Sequence, residues 1–265
     1  MEISTITVLA LILLVLMIAV GGKQGWSSFL SLLLNFCYFF LGLVLVAWHF
    51  SPLIITIILG ILILATIIFM GTEDLQVSVS AFEASVLVML IVICLTLLIE
   101  HFIQATGFSN ENSSELEGMS ILIGISYVQI GMMTMILSCS GSIAEASIAI
   151  TSGLIEISNH NPHISNQQLL QTGMQIGKYI MGTTLNTLLF GFFGNLLALF
   201  IWFAGLNYSW GTIMNNKIFV TELVTVLISF IGIILTVPLS TELVLWNRRK
   251  SVDNRDENHY DTSNK

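Results

Sequence analysis

Apolar runs of about 20 residues recur along the chain and dominate what it can fold into. Residues 27–49 and 53–71 contain no Asp, Glu, Lys or Arg. About 20 apolar residues form a helix long enough to cross about 30 Å of hydrocarbon. The runs are continuous rather than alternating, which excludes the in-out strands of a transmembrane β-barrel. The sequence therefore predicts an all-α, polytopic integral membrane helical bundle.

Composition and charge exclude several other classes of protein. Only 9% of the residues are charged and 55% are hydrophobic, with a mean hydropathy of +0.91. Because a soluble domain carries about 25% charged residues, a soluble enzyme is excluded. The net charge of −8 comes from scattered carboxylates. Nucleic-acid binding needs a clustered basic face, so we predict no nucleic-acid partner. The partner that the composition does predict is the lipid bilayer.

Reactive side chains form none of the familiar catalytic or metal-binding patterns. Cys37, Cys94 and Cys139 lack C-x-x-C spacing and are predicted to be small buried apolar side chains. His160 and His163 offer too few ligands for a metal site. An H-E-x-x-H motif, a G-x-S-x-G elbow and a P-loop are all absent from the sequence. We therefore expect no catalytic activity, no metal and no cofactor.

Eight apolar segments follow one another, and the polar stretch 104–117 divides them into two sets of four. Their approximate bounds are 6–22, 27–49, 53–71, 82–103, 118–138, 141–157, 177–205 and 217–246. The first segment has no positively charged residues before it, so it is expected to be a retained helix. We predict one transmembrane helical domain over 1–246. The polar tail 247–265 is predicted to be disordered.

Basic residues near the span ends predict the orientation of the chain. Arg248, Arg249 and Lys250 follow the last segment, so the C-terminus is expected to be cytoplasmic. The shorter and more polar segment 141–157 leaves two alternatives. If it crosses, there are eight spans and a cytoplasmic N-terminus. If it lies in the membrane plane or re-enters, there are seven spans and an external N-terminus, which Lys23 favours.

Polar and small residues recur on one helical face through the fifth and sixth segments. In lipid such residues are expected to face protein or water. Spacings of four and three place these residues of the fifth segment on one face: Ser120, Gly124, Tyr127, Gly131, Thr134 and Ser138. This face predicts either a close-packed helix interface or a solute path. The sixth segment continues the pattern with two carboxylates: Ser138, Ser142, Glu145, Ala149, Ser152 and Glu156.

A carboxylate within a span must be neutralised, paired or hydrated, because its insertion costs about 2.5–3.5 kcal/mol. Ile143, Ile150 and Leu154 occupy the opposite face of the segment that contains Glu145. The polar stripe is therefore predicted to face away from lipid if the segment crosses. Two interpretations of Glu145 remain open: a proton or cation site, or a solvated carboxylate near the membrane interface.

The seventh segment supplies polar residues that are candidates to meet this stripe. Lys178 is predicted either to pair with Glu156 or to extend to the cytoplasmic interface. Asn186 lies deeper and is either a helix–helix contact or a ligand contact. The polar or small residues that share this region are Gln175, Lys178, Gly182, Thr183, Asn186 and Thr187.

The chain resembles the YibE/F family of bacterial membrane proteins in four stretches. They are 141–156 (GSIAEASIAITSGLIE), Asn161-Pro162, 165–173 and 177–188 (GKYIMGTTLNTL). Residues matching the family pattern are Gly141, Ser152, Glu156, Gly177, Gly182, Thr183, Asn186 and Thr187. Glu145 stands where the family has Asp, and Lys178 stands where it has Arg. Tyr179 replaces an Asp, which departs from the pattern.

The resemblance implies a shorter family member in the bacterial cytoplasmic membrane. Longer members insert a soluble domain after their first span. That domain is expected outside the cytoplasm, which implies a cytoplasmic N-terminus and eight spans. The resemblance brings no established activity with it.

Two functions follow from the polar stripe and the small residues. The first is a permease-like transport component for a small solute or ion. Its polar path or ion site is expected to involve Glu145, Ser152, Glu156, Lys178, Thr183, Asn186 and Thr187. The alternative is a non-transporting scaffold that pairs with a longer family member or with a second copy of itself. Small residues expected at helix-packing positions are Gly124, Gly131, Gly141, Gly177 and Gly182.

Overall fold

The computed structural model describes residues 5–103 and 127–263, which form helices and turns without strands. The eight helices within these ranges are α1 (Thr5–Ala47), α2 (Pro52–Gly71), α3 (Leu75–Ile103), α4 (Tyr127–His160), α5 (Asn166–Asn195), α6 (Leu197–Gly205), α7 (Trp210–Met214) and α8 (Lys217–Ser263). This arrangement confirms the predicted all-α helical bundle.

Fewer of the described helices could span a membrane than the eight predicted segments. Five are long and apolar enough to cross a membrane, or six if α5 and α6, bent by 51°, count as one span. The first two segments both lie in α1. Residues 141–157 continue the helix that contains 127–138. The start of the fifth segment, 118–126, lies outside the described residues. Residues 127–157 therefore belong to one continuous helix, whereas the first two predicted segments are separated within α1 by a bend at Gly22.

Hydroxyl groups within α4 explain why this helix continues through a run that resembles a loop. The run Ser138-Cys139-Ser140-Gly141 separates the two predicted segments. Ser140 Oγ donates to the carbonyl of Ile136 at 3.0 Å. Ser142 Oγ donates to the carbonyl of Cys139 at 3.0 Å. Since the hydroxyl groups are satisfied by their own helix, the polar run does not need water and does not end the helix.

A sharp bend at Gly22 divides α1 into two parts. Gly22 has φ 55° and ψ −126°, a conformation that glycine adopts more readily than other residues. Beyond the bend, a Cβ added to Gly25 would lie 1.8 Å from the carbonyl oxygen of Met17. The second part is held to α2, because Gln24 Nε2 and Ser27 Oγ each donate to the Met70 carbonyl at 3.0 Å. The residues before the bend are largely exposed, which is the environment expected for a lipid-facing helix.

Helix α4 lies at the centre of the bundle and contacts α2, α3, α5 and α8. Ile143, Ile150 and Leu154 are fully buried against the neighbouring helices. The polar stripe therefore occupies the opposite side of α4. Ser147 joins three helices from within the core, since its Oγ lies 2.9 Å from the Ala81 carbonyl of α3 and 3.1 Å from Ser240 Oγ of α8.

Ser147→Ala is expected to lower the free energy of unfolding by about 1–2 kcal/mol, because it removes a hydrogen bond and leaves buried partners unsatisfied. Ser152→Ala, on the exposed face of the same helix, is the matched control and should change it by less than about 0.5 kcal/mol. Denaturant unfolding of both variants in the same detergent measures the difference. Equal effects would show that the buried hydroxyl does not join the helices.

Contacts between α8, α3 and the α4–α5 turn define one end of the bundle, hereafter the Arg248 end. Arg248 donates to two carbonyls of the turn, from Nη1 to Ile164 at 3.1 Å and from Nη2 to Pro162 at 2.8 Å. Asn247 Nδ2 donates to Ser80 Oγ at 3.1 Å near the start of α3. Ser165 caps α5 by accepting from the Gln168 backbone N–H, and Gln168 caps reciprocally. The α4–α5 hairpin is therefore anchored at this end.

Candidate functional site

A polar cleft lies between α4 and α5. Because the short turn after His160 makes the two helices antiparallel neighbours, the middle of α4 faces the middle of α5. The cleft has a volume of about 270 Å³. Its lining residues are Ser138, Ser142, Glu145, Thr183, Thr184, Thr187 and Leu188. Sequence analysis placed Glu145, Thr183 and Thr187 in a candidate path, and the structure brings these three together.

Glu145 lies near the middle of α4. It follows Tyr127 by 18 residues and precedes His160 by 15, or about 27 Å and 22 Å along the helix axis. Its side chain is exposed to the cleft. Within the described ranges no basic side chain forms a salt bridge with Glu145. A carboxylate at this depth therefore needs water, a proton or a cation.

Three of the five hydroxyl groups around Glu145 donate their hydrogens to carbonyls of their own helices. Ser142 Oγ donates to the Cys139 carbonyl, and Thr187 Oγ1 donates to the Thr183 carbonyl, both at 3.0 Å. Thr183 Oγ1 donates to the Ile180 carbonyl at 3.0 Å. Beside the cleft, Asn186 Nδ2 donates to the Gly182 carbonyl at 2.9 Å. Each of these side chains keeps an oxygen that is free to accept a hydrogen bond or bind a cation.

Two charged residues of the predicted path lie closer to the Arg248 end. Glu156 is exposed, and its Oε1 lies 3.2 Å from His160 Nδ1. Lys178 is exposed and forms no salt bridge with a described residue, so the Lys178–Glu156 pair considered from the sequence is not formed. Ser152 is also exposed on the α4 face that carries Glu145 and Glu156. These residues extend the polar face but do not line the cleft.

The sequence profile of the YibE/F-like protein family matches residues 9–250. The chain belongs to the YibE/F-like protein family. No curated protein and no solved structure matches it significantly. The matched range includes both helices of the cleft and nearly all of the described bundle.

The glycines predicted at helix-packing positions of this YibE/F-like chain have different surroundings. Gly177 lies against α8, because a Cβ added there would be 2.2 Å from Val237 Cγ1. Gly141 and Gly182 have open space instead, with no described atom within 4 Å of an added Cβ. Gly131 is half-buried in α4. Gly124 lies outside the described residues.

Three residues of the cleft and of the α5–α8 contact were not predicted from the sequence. Thr184 and Leu188 line the cleft together with Thr187. Their spacing of three and four residues is a helical-face signal that the sequence contains. Gly173 lies against Thr241, whose Cγ2 would be 2.5 Å from an added Cβ. The Gly173-x-x-x-Gly177 spacing is a helix-packing motif that identifies this contact.

The cysteines and other metal-binding side chains are dispersed over the described ranges. Cys139 is buried as predicted, with its Sγ 3.1 Å from the Ile136 carbonyl. Cys37 and Cys94 are exposed, so the prediction was wrong for these two, which lie on faces without a protein neighbour. Residues 5–103 and 127–263 contain no group of three His, Cys, Asp or Glu side chains placed to hold a metal ion.

Proposed function

We propose that the chain is a permease-like transport component for a small solute or ion. The observation that carries this proposal is the cleft in which Glu145, at the middle of α4, is surrounded by five hydroxyl side chains. Polar groups at this depth are unfavourable against lipid and are typical of substrate pathways. Transporters place such sites near the membrane midplane, which supports the same interpretation by analogy.

We propose further that the Arg248 end faces the cytoplasm of a bacterial cell. Arg248, Arg249 and Lys250 lie at this end. Lys23 also lies here, since its neighbour Gln24 binds the Met70 carbonyl at the end of α2. Lys217, at the opposite end of α8, is the one basic residue assigned to the other side. This excess of Lys and Arg supports a cytoplasmic Arg248 end by the positive-inside rule.

A scaffold is the second candidate, and the lateral exposure of α5 favours it. Tyr179 and Phe190 on α5 are 75% and 73% exposed, and Glu145 on α4 is exposed as well. A longer family member or a second copy of the chain would cover this surface in a non-transporting complex. The two functions differ in whether water reaches Glu145, because a scaffold buries this face in a dry interface.

Water access can be measured by thiol labelling in membranes. In a background with Cys37, Cys94 and Cys139 replaced by alanine, Glu145→Cys and Thr183→Cys are expected to react with a membrane-impermeant thiol reagent. Ala146→Cys, at a fully buried neighbouring position, is the matched control and should remain unlabelled until the protein is denatured. Labelling from one side only would also identify the side to which the cleft opens.

The proposal fails if positions 145 and 183 stay unlabelled from both sides while the denatured proteins react. A dry cleft of this kind would favour the scaffold. Cross-linking of Tyr179→Cys to a second copy or to a longer family member would then identify the covering partner.

A further inference from the structure

We propose that the cleft between α4 and α5 binds a small alkali-metal cation, coordinated by the Glu145 carboxylate and the hydroxyl oxygens around it. The proposal uses the same cleft as the proposed function and names the class of its ligand. It rests on that function only for transport, since binding can be measured without flux.

The chemistry of the lining favours a cation over an anion. Its seven side chains comprise one carboxylate, five hydroxyls and one leucine. None of the seven carries an amine, amide, guanidinium or imidazole N–H. The backbone N–H groups nearby are used within α4 and α5. An anion would meet a negative charge and few donors, whereas a cation meets oxygen atoms on both helices.

Hydrogen-bond directions strengthen this preference. Ser142, Thr183 and Thr187 donate their hydroxyl hydrogens to carbonyls of their own helices. Their lone pairs are therefore the groups left for a ligand. Ser138 and Thr184 form no hydrogen bond with any described residue, so their hydroxyls are free to turn an oxygen toward the cleft. All six polar side chains of the lining can act as oxygen donors to a metal ion.

The single carboxylate suits a monovalent alkali cation. Hard cations prefer oxygen ligands, but Ca²⁺ sites use several carboxylates. The described ranges hold no cluster of three acidic, His or Cys ligands, and the cleft holds one carboxylate. The cleft volume of about 270 Å³ leaves space for water molecules beside an ion. The ion therefore has room to keep part of its hydration shell.

Lys178 opposes cation binding without lining the cleft. It precedes Thr183 by five residues, or about 7.5 Å along the axis of α5. Its exposed ammonium forms no salt bridge within the described part of the chain. Repulsion from this charge should weaken cation affinity, so removing it should have the opposite effect to removing Glu145.

Thermal unfolding of the full chain in detergent tests binding directly. NaCl and KCl are titrated against choline chloride at constant ionic strength and pH, so that only the alkali ion changes. We expect at least one alkali ion to raise Tm with a saturable midpoint, because a ligand that binds the folded state stabilises it. Glu145→Gln should shift that midpoint at least tenfold higher, whereas Lys178→Met should shift it lower.

Two further variants keep the result interpretable if Glu145→Gln folds poorly. Thr183→Val and Thr187→Val should each weaken binding, because each removes one ligand oxygen and preserves side-chain shape. Glu242→Gln removes an exposed carboxylate of α8 that is outside the cleft and should leave the midpoint unchanged.

The inference is overturned if neither Na⁺ nor K⁺ raises Tm relative to choline, or if the Glu145 and Glu242 variants respond alike. Stabilisation by acid alone, without a response to either ion, also overturns it. Uptake of the ion that raises Tm into proteoliposomes, followed with a radioactive tracer of Na⁺ or K⁺, then separates binding from transport. Saturable binding without uptake supports the cation site and contradicts the permease-like function.

Discussion

Gly177→Val is expected to destabilise the bundle by about 3 kcal/mol or more, at the upper end of overpacking effects. Even the first added carbon would lie 2.2 and 2.7 Å from the two methyl carbons of Val237. Both atoms belong to helices packed at close range, so α5 must move away from α8. Close packing at small residues is a main source of helix association in membranes, so losing this contact should cause a large loss of stability.

Gly182→Val provides the matched control for this substitution. It adds the same side chain to the same helix, five residues later, where no described atom lies within 4 Å of the new Cβ. Unfolding of both variants in one detergent gives the comparison, and only Gly177→Val should show the large loss. Combining Gly177→Ala with Val237→Ala should recover part of the stability that Gly177→Ala loses alone. Equal losses at 177 and 182 would contradict the α5–α8 contact.

Arg248→Ala is expected to lower the free energy of unfolding by about 2 kcal/mol, because it removes two hydrogen bonds from a charged group. These bonds hold the Pro162 and Ile164 carbonyls in the α4–α5 turn. Hydrogen exchange should also become faster in the first turn of α5. Arg249→Ala is the control, since the neighbouring side chain is exposed and forms no hydrogen bond with a described residue.

Two results for Arg248→Ala would contradict its role as an anchor of the hairpin. One is a loss of stability no greater than that of Arg249→Ala. The other is unchanged hydrogen exchange around Ser165, whose side chain caps α5 directly after the turn.

Continuous apolar runs were sufficient to predict the fold class, because a helix that crosses lipid must satisfy its own backbone. The number of helices was harder to predict. Ser138, Ser140 and Gly141 resemble a loop in sequence. A serine hydroxyl can donate to a carbonyl of its own helix, so a serine-rich run is also compatible with a continuous helix. The bend at Gly22, by contrast, lies where the first predicted segment, 6–22, ends.

The proximity of Glu145 to Thr183 and Thr187 was within reach of sequence analysis, because a short turn makes α4 and α5 antiparallel neighbours. The packing contacts of the glycines could not be predicted from the sequence. Gly177 and Gly182 are five residues apart, which rotates their directions by about 140° around α5 at 100° per residue. Which of the two faces α8 depends on how the whole helix is turned, and a single sequence does not fix that rotation.

The attachment of Arg248 to the α4–α5 turn has a consequence for the order in which the protein assembles during synthesis. The carbonyls of Pro162 and Ile164 leave the ribosome 86 and 84 residues before the guanidinium that binds them. The hairpin with the polar cleft is therefore synthesised before Arg248 and remains without this attachment while α6, α7 and most of α8 are translated. The turn can be attached at this end only after the segment of α8 that contains Arg248 has been synthesised.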